Sequence, residues 1–187
     1  MATVYVRKSG SDSNTYTQAR SASTAWLTIG HALSTMSSGD TCYIGSGVYR
    51  ETVSVSITPA ATTTVIGDVD GSNTGDAPGE IRWTAWTTND KTAPSSGTAT
   101  LDLNGKSYLT FQNLTLVGGH ADTVKATTSN STNITFQDCT IFGGVASNTY
   151  IVNYAAGAAL AANWSVNRCR CFGFWGGTAA IFNLQSQ

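Results

Sequence analysis

A chain of 187 residues with a net charge of −1 can hold one domain with a sizeable core, and without a basic cluster it offers nothing to neutralise the phosphates of nucleic acid. Only 11% of residues are charged while 29 are threonine and 19 glycine, a balance that favours strands and tight turns over helices. No stretch approaches the ~20 apolar residues of a membrane span, and Met1 to Lys8 holds no apolar run of signal-peptide length, so the expectation is a chain not exported by the usual secretory signal.

Val4-Tyr5-Val6 reads as a short strand, and residues 9–14 as a polar loop rich in turn formers. A helix is expected over residues 25–36, with Ser23 or Thr24 as N-cap. Trp26, Ile29, Leu33 and Met36 recur there at three- and four-residue steps, and Ser38-Gly39-Asp40 stops the run. Residues 41–57 alternate as a first coil, with Val53, Val55 and Ile57 on one side, and Val65-Ile66-Gly67 continues the stack. The pattern then breaks. Residues 68–100 read as a lateral excursion made of an acidic turn cluster, an aromatic strand over 81–86 and a second polar loop ending at Gly97, before Leu101-Asp102-Leu103 resumes.

Three later segments are copies of one another: residues 108–119 (YLTFQNLTLVGG), 133–144 (NITFQDCTIFGG) and 163–174 (NWSVNRCRCFGF). Phe111 to Phe136 is 25 residues and Phe136 to Val166 is 30. Apolar positions align as Leu109/Ile134/Trp164, Phe111/Phe136/Val166, Leu114/Cys139/Cys169 and Leu116/Ile141/Cys171. A repeat of this length with period-two alternation predicts one turn of a β-solenoid, each strand laid in parallel on the last so that equivalent positions form ladders. One domain is expected over residues 1–187: an N-terminal cap over 1–40 whose helix shields the first coil, first coils over 41–67, the excursion over 68–100, and regular coils over 101–187, with residues 178–184 starting another strand and no cap after it.

The order of strand, Gly10-Ser11-Asp12, helix, Ser38-Gly-Asp-Thr-Cys-Tyr-Ile44 and Gly47-Val-Tyr-Arg-Glu-Thr52 resembles the opening of the parallel β-helix proteins of the pectate-lyase-like superfamily, and the repeats resemble that family's coils. The resemblance covers essentially the whole chain. It implies an all-β, right-handed, single-stranded parallel β-helix with an N-terminal capping helix. It implies no single activity, because the superfamily spans polysaccharide lyases, hydrolases, epimerases, bacterial surface proteins and bacteriophage tail and capsid proteins.

Asp68, Asp70, Asp76 and Glu80 form the dense acidic group. Asp68-x-Asp70-x-Ser72 begins like a calcium loop, yet the glycines stand at 71 and 75 and the position that wants a bidentate glutamate is Gly79. A solvated turn cluster is expected there, with a structural calcium as the alternative and no other cofactor. Asp138 and Arg168 share a repeat position in successive coils. An exposed ion pair is expected of them; the alternative, implied by the resemblance to the superfamily's lyases, is a calcium-binding carboxylate at Asp138 and an arginine base at Arg168. Trp83, Trp86, Trp164 and Trp175 could stack on sugar rings, but Trp164 falls on a core ladder and only the excursion's Trp83 and Trp86 make a plausible carbohydrate platform, or else they pack the excursion against the wall. Cys139, Cys169 and Cys171 fall on inward ladders as small apolar residues; a Cys139–Cys169 disulfide is sterically conceivable, and zinc spacing is absent.

Two functional classes follow. The first is a non-enzymatic structural or adhesive component of a bacteriophage virion (tail, baseplate, spike or capsid surface), assembled in the host cytoplasm with other virion subunits, as a homotrimer, and able to meet a host surface glycan. The second is a polysaccharide lyase or hydrolase acting on acidic glycans. The absent signal peptide, the few coils and the uncapped final coil favour the first.

Overall fold

In the computed structural model, the described residues are 1–88, 98–120, 122–126, 131–144, 152–154, 163–172 and 182–184, with backbone alone at 152–154 and 182–184. The chain opens with strand β1 (Thr3–Val6) and helix α1 (Ile29–Thr35). It then repeats one itinerary: β2 (Thr41–Ile44), β3 (Gly47–Arg50) and β4 (Val53–Ser54); β5 (Thr63–Gly67), β6 (Ile81–Thr84) and β7 (Leu101–Asp102); β8 (Leu109–Gln112), β9 (Thr115–Val117) and β10 (Val124–Lys125). Two further rounds follow as β11 (Ile134–Gln137), β12 (Thr140–Phe142) and β13 (Val152–Tyr154), then β14 (Trp164–Asn167), β15 (Arg170–Phe172) and β16 (Phe182–Leu184).

Each round places one strand in each of three sheets, ordered β1-β2-β5-β8-β11-β14, β3-β6-β9-β12-β15 and β4-β7-β10-β13-β16, and among the described residues every strand pairing is parallel. Mostly parallel sheets with little helix fit a β-helix-like solenoid.

The registers turn the alternation of the sequence into columns. In the first sheet Val4, Cys42, Val65, Phe111, Phe136 and Val166 are successive Cα partners. The first five are essentially inaccessible, and the rings of Phe111 and Phe136 stack with centroids 5.2 Å apart and planes at 15°. In the second sheet Tyr49, Trp83, Leu116, Ile141 and Cys171 align, and in the third Val53, Leu101 and Val124. The expected ladders are therefore the core.

The helix is shorter than its apolar spacing predicts. Residues 25–28 are extended because other partners claim their N–H groups: Trp26 pairs with β1, donating to the Tyr5 carbonyl at 2.9 Å, and the Asp12 carboxylate accepts from the amides of Leu27 and Thr28. The N-cap is thus Thr28, whose hydroxyl accepts from His31 N at 3.1 Å, rather than Ser23 or Thr24. Glu51 reaches back from the first round to accept from Ile29 N and Gly30 N, at 2.9 and 2.8 Å. Trp26, Ile29 and Leu33 are all fully buried, as a cap requires.

The excursion also differs from expectation. Ile81–Thr84 is a strand of the second sheet, paired with β3 and β9, so the extra residues lie on either side of a regular element. Ile81 and Trp83 are inward by the same alternation that governs every other round.

Two columns of corners flank the first sheet in the left-handed region. Tyr108, Asn133 and Asn163 have φ of 59°, 54° and 62°; Asn113, Asp138 and Arg168 have 55°, 54° and 51°. This conformation disfavours most L-residues but is tolerated by Asn and Asp, which occupy four of these six corners.

Phe136→Ala is expected to lower unfolding free energy by about 3–5 kcal/mol in chemical denaturation, through cavity formation against Phe111. A cost below 1 kcal/mol would contradict the stacked core. Tyr108→Asn should instead stabilise by roughly 0.5–1 kcal/mol, because the half-exposed Tyr108 is the residue of its column least suited to positive φ.

Candidate functional site

The structure brings Asp138 and Arg168 together at a corner. Gln137 is partnered with Asn167 before them and Thr140 with Arg170 after them, so both corners are carried at the same offset. The guanidinium grips the carboxylate with two bonds, Nε to Oδ1 and Nη2 to Oδ2, each 2.6 Å. The Arg168 hydrogen bond lowers the Asp138 carboxyl below its ordinary value, and the same bond raises Arg168. Both groups are therefore held charged, and the guanidinium is no reservoir for a base. Arg168 is 69% exposed at its side chain.

A cleft of about 170 Å³ beside this corner is lined by Glu80, Asn113, Thr115, Asp138 and Thr140. Two carboxylates, Glu80 and Asp138, thus border one depression although 58 positions separate them in the chain. No sequence signal announced this, because it depends on the loop over residues 68–80 folding back toward the corner column. Glu80 lies 4.0 Å from Arg82.

The remaining acidic residues go separate ways. Asp68 is buried and closes its own loop, accepting from Asn73 N, Asn73 Nδ2, Thr74 N and the Thr74 hydroxyl at 2.6–3.1 Å. Burial alone would raise its carboxyl, but these bonds outweigh it and hold the group below the ordinary aspartate range. Asp70 accepts from Ser72 N, an Asx turn. Asp76 Oδ1 takes both Nε and Nη2 of Arg7, at 3.0 and 2.5 Å, while its Oδ2 lies buried against Gly45 without a partner. Among the described residues no three acidic, cysteine or histidine side chains converge as a metal site, and Asp68 has its oxygens occupied by the turn.

Trp83 is a core residue. It is fully buried, its indole N–H donates to the Glu51 carbonyl at 3.1 Å, and it offers no face to a sugar ring. Trp86 is half-buried and pinned by a 2.7 Å bond from its indole to the Gly118 carbonyl. Trp175 lies outside the described residues. No described helix is long and apolar enough to cross a membrane.

No family model, no curated protein and no solved structure matches this chain.

The loop analysis yields a graded expectation. Asp68→Ala should cost roughly 2–3 kcal/mol, since it strips several buried donors of a charged acceptor, whereas Asp70→Ala, which loses one exposed turn bond, should stay within about 0.5 kcal/mol. Because the folded Asp68 carboxyl sits below its unfolded value, its contribution is complete above the ordinary aspartate range and disappears as pH falls through the depressed folded value. Denaturant melts of wild type and Asp68→Asn from neutral to acid pH should therefore converge in acid; a constant gap would refute this.

Proposed function

We propose that the chain is a non-enzymatic structural or adhesive component of a bacteriophage particle, in its tail, baseplate, spike or capsid surface, built as a right-handed single-stranded parallel β-helix of the pectate-lyase-like kind. The observation that carries the reading is how the acidic side chains are used. Asp12 and Glu51 hold the start of α1, Asp40 accepts from Ala2 N, Tyr16 Oη and Ser37 N, Asp68 closes a loop, Asp76 grips Arg7 and Asp138 grips Arg168. These carboxylates hold the cap, close a loop and tie rounds together, which suits a rigid strut better than a proton-transfer site. Right-handedness rests on the strong preference of parallel crossovers for that hand.

Other subunits of the particle are the proposed partners, with the chain itself as a homotrimer that can present a surface to a host glycan. The second sheet supplies a face for association: Val117, Phe142 and Phe172 align on its outer side, the last two rings are 5.6 Å apart, and Phe172 is 48% exposed. A stable contact should bury at least ~1,000 Å².

One observation favours the second reading, a lyase or hydrolase acting on acidic glycans: Glu80 and Asp138 border the same cleft, and paired carboxylates are what glycoside cleavage uses.

Immunogold labelling of phage particles produced with this gene should decorate the particle. Sedimentation should give a trimer that Phe172→Glu converts to monomer. A monomer absent from particles that cleaves an acidic polysaccharide, and loses that activity in Glu80→Gln or Asp138→Asn, would overturn the reading in favour of the enzyme.

A further inference from the structure

We propose that Cys139 and Cys169 are a thiol–disulfide pair, a modification site at which reaction with a small-molecule disulfide cross-links two successive rounds of the chain. The inference is independent of the particle reading.

The geometry comes first. Gln137 is partnered with Asn167 and Thr140 with Arg170, an offset of 30 on both sides, so the two cysteines between these pairs stand opposite each other. The backbone confirms the alignment around them: Asp138 N donates to the Asn167 carbonyl at 3.0 Å, and Arg170 N to the Cys139 carbonyl at 2.9 Å. Adjacent parallel strands lie about 4.8 Å apart, inside the ~4.4–6.8 Å Cα window of a disulfide. One residue earlier, the two-bond grip of Arg168 on Asp138 holds the same two corners together. Both cysteines turn inward; Cys139 is 1% exposed, and Cys169 is half-buried and packs against the core. In the preceding round the equivalent residue is Leu114, so packing asks only for an apolar side chain and does not explain two thiols in succession.

The two thiols are unequal in a way that suits exchange. Cys169 reaches solvent, and the facing Cys139 side chain lowers its thiol against the opposing effect of burial. Cys139 is pushed up, first by the facing Cys169 and then by burial, and its thiol donates to the Phe111 and Gln137 carbonyls at 3.5 and 3.4 Å. The Cys169 thiolate attacks one sulfur of a disulfide RSSR, forming a mixed disulfide and releasing RS⁻. Cys139 then loses its proton to solvent, its sulfur attacks Cys169 Sγ, and the second RS⁻ departs. Two protein thiols are oxidised to one disulfide, and one RSSR is reduced to two thiols; no other oxidant enters. Two internal comparisons exist. Cys171 is half-buried but partnered with Ile141, and Cys42 is fully buried in the first round with its thiol pushed up to about 12 by burial.

The test treats the full chain with oxidised glutathione and reads intact mass, peptide linkage and thermal midpoint. The expected product is lighter by two hydrogens, joins residues 139 and 169, reverts with dithiothreitol, and melts higher by something on the order of 10 °C because a 30-residue loop is closed. Cys139→Ser should stop at a glutathione adduct on Cys169, and Cys169→Ser should form neither adduct nor cross-link. Should a variant fail to fold, alkylation of the wild type reads the same inequality, with Cys169 modified ahead of Cys139 and Cys42. A persistent glutathione adduct on wild-type Cys169, a linkage through Cys171, or two thiols left free would each overturn the proposal.

Discussion

Every parallel pairing in this chain forces one side chain onto its counterpart a round later, and that in-register stacking is the constraint on which the structure depends. A column tolerates a polar residue only where another group bonds it, as at buried Thr63 beside Leu109, whose hydroxyl accepts from Gly39 N at 2.9 Å and donates to the Ala61 carbonyl at 3.1 Å. Nor can it tolerate a slip of one residue, which would turn the whole inward set outward. The strands are consequently conserved in phase while the connections vary. From Thr41 to its partner Thr64 is 23 residues, from Thr64 to Thr110 is 46, and from Thr110 to Thr135 is 25. The long interval absorbs its surplus on either side of β6, where lengthening a loop costs little entropy.

Stacking creates an end, and the polar residues are organised around it. Trp26 adds one extended residue to the free edge of β1, α1 lies against β4, and the amides of Ser56 and Ile57 both donate to the Leu33 carbonyl. The amides at the start of α1 are met by Asp12, Thr28 and Glu51. Glu51 and Asp68 show opposite outcomes of one contest. At Glu51 burial outweighs the two backbone N–H bonds and its carboxyl is raised; at Asp68 the turn donors outweigh burial and the carboxyl is lowered. Asp68 therefore supports the fold more fully at neutral pH than in acid, whereas keeping Glu51 ionised becomes a cost once pH passes the ordinary glutamate range. The two effects oppose one another across the acid range, so acid sensitivity must be assigned residue by residue.

Much of this was legible in the sequence, for a physical reason. Period-two alternation at Phe111, Phe136 and Val166 survives because the columns are the largest energetic term, and a repeat displays that term several times. What was not legible depended on partners distant in the chain. The start of α1 is decided by Asp12 claiming the amides of Leu27 and Thr28, which helical spacing cannot reveal. Trp83 reads locally as an aromatic of an excursion, either a sugar platform or a contact with the wall, and is a core residue because Tyr49 and Leu116 flank it in the second sheet. Glu80 and Asp138 share a cleft by virtue of a loop fold that no local pattern encodes.

The corner column Asn113, Asp138, Arg168 shows where chemistry and backbone demand must be separated. All three residues hold φ between 51° and 55°, so the backbone asks for the same thing at each. Asn and Asp answer it directly, and a carboxylate at 138 thus needs no catalytic explanation. Arginine at 168 does not answer it, since a long side chain gains nothing in the left-handed region; what it contributes is the two-bond grip on Asp138 across one round. That grip sits one residue before the facing cysteines, so a residue unsuited to its backbone is retained where two rounds must be kept in step.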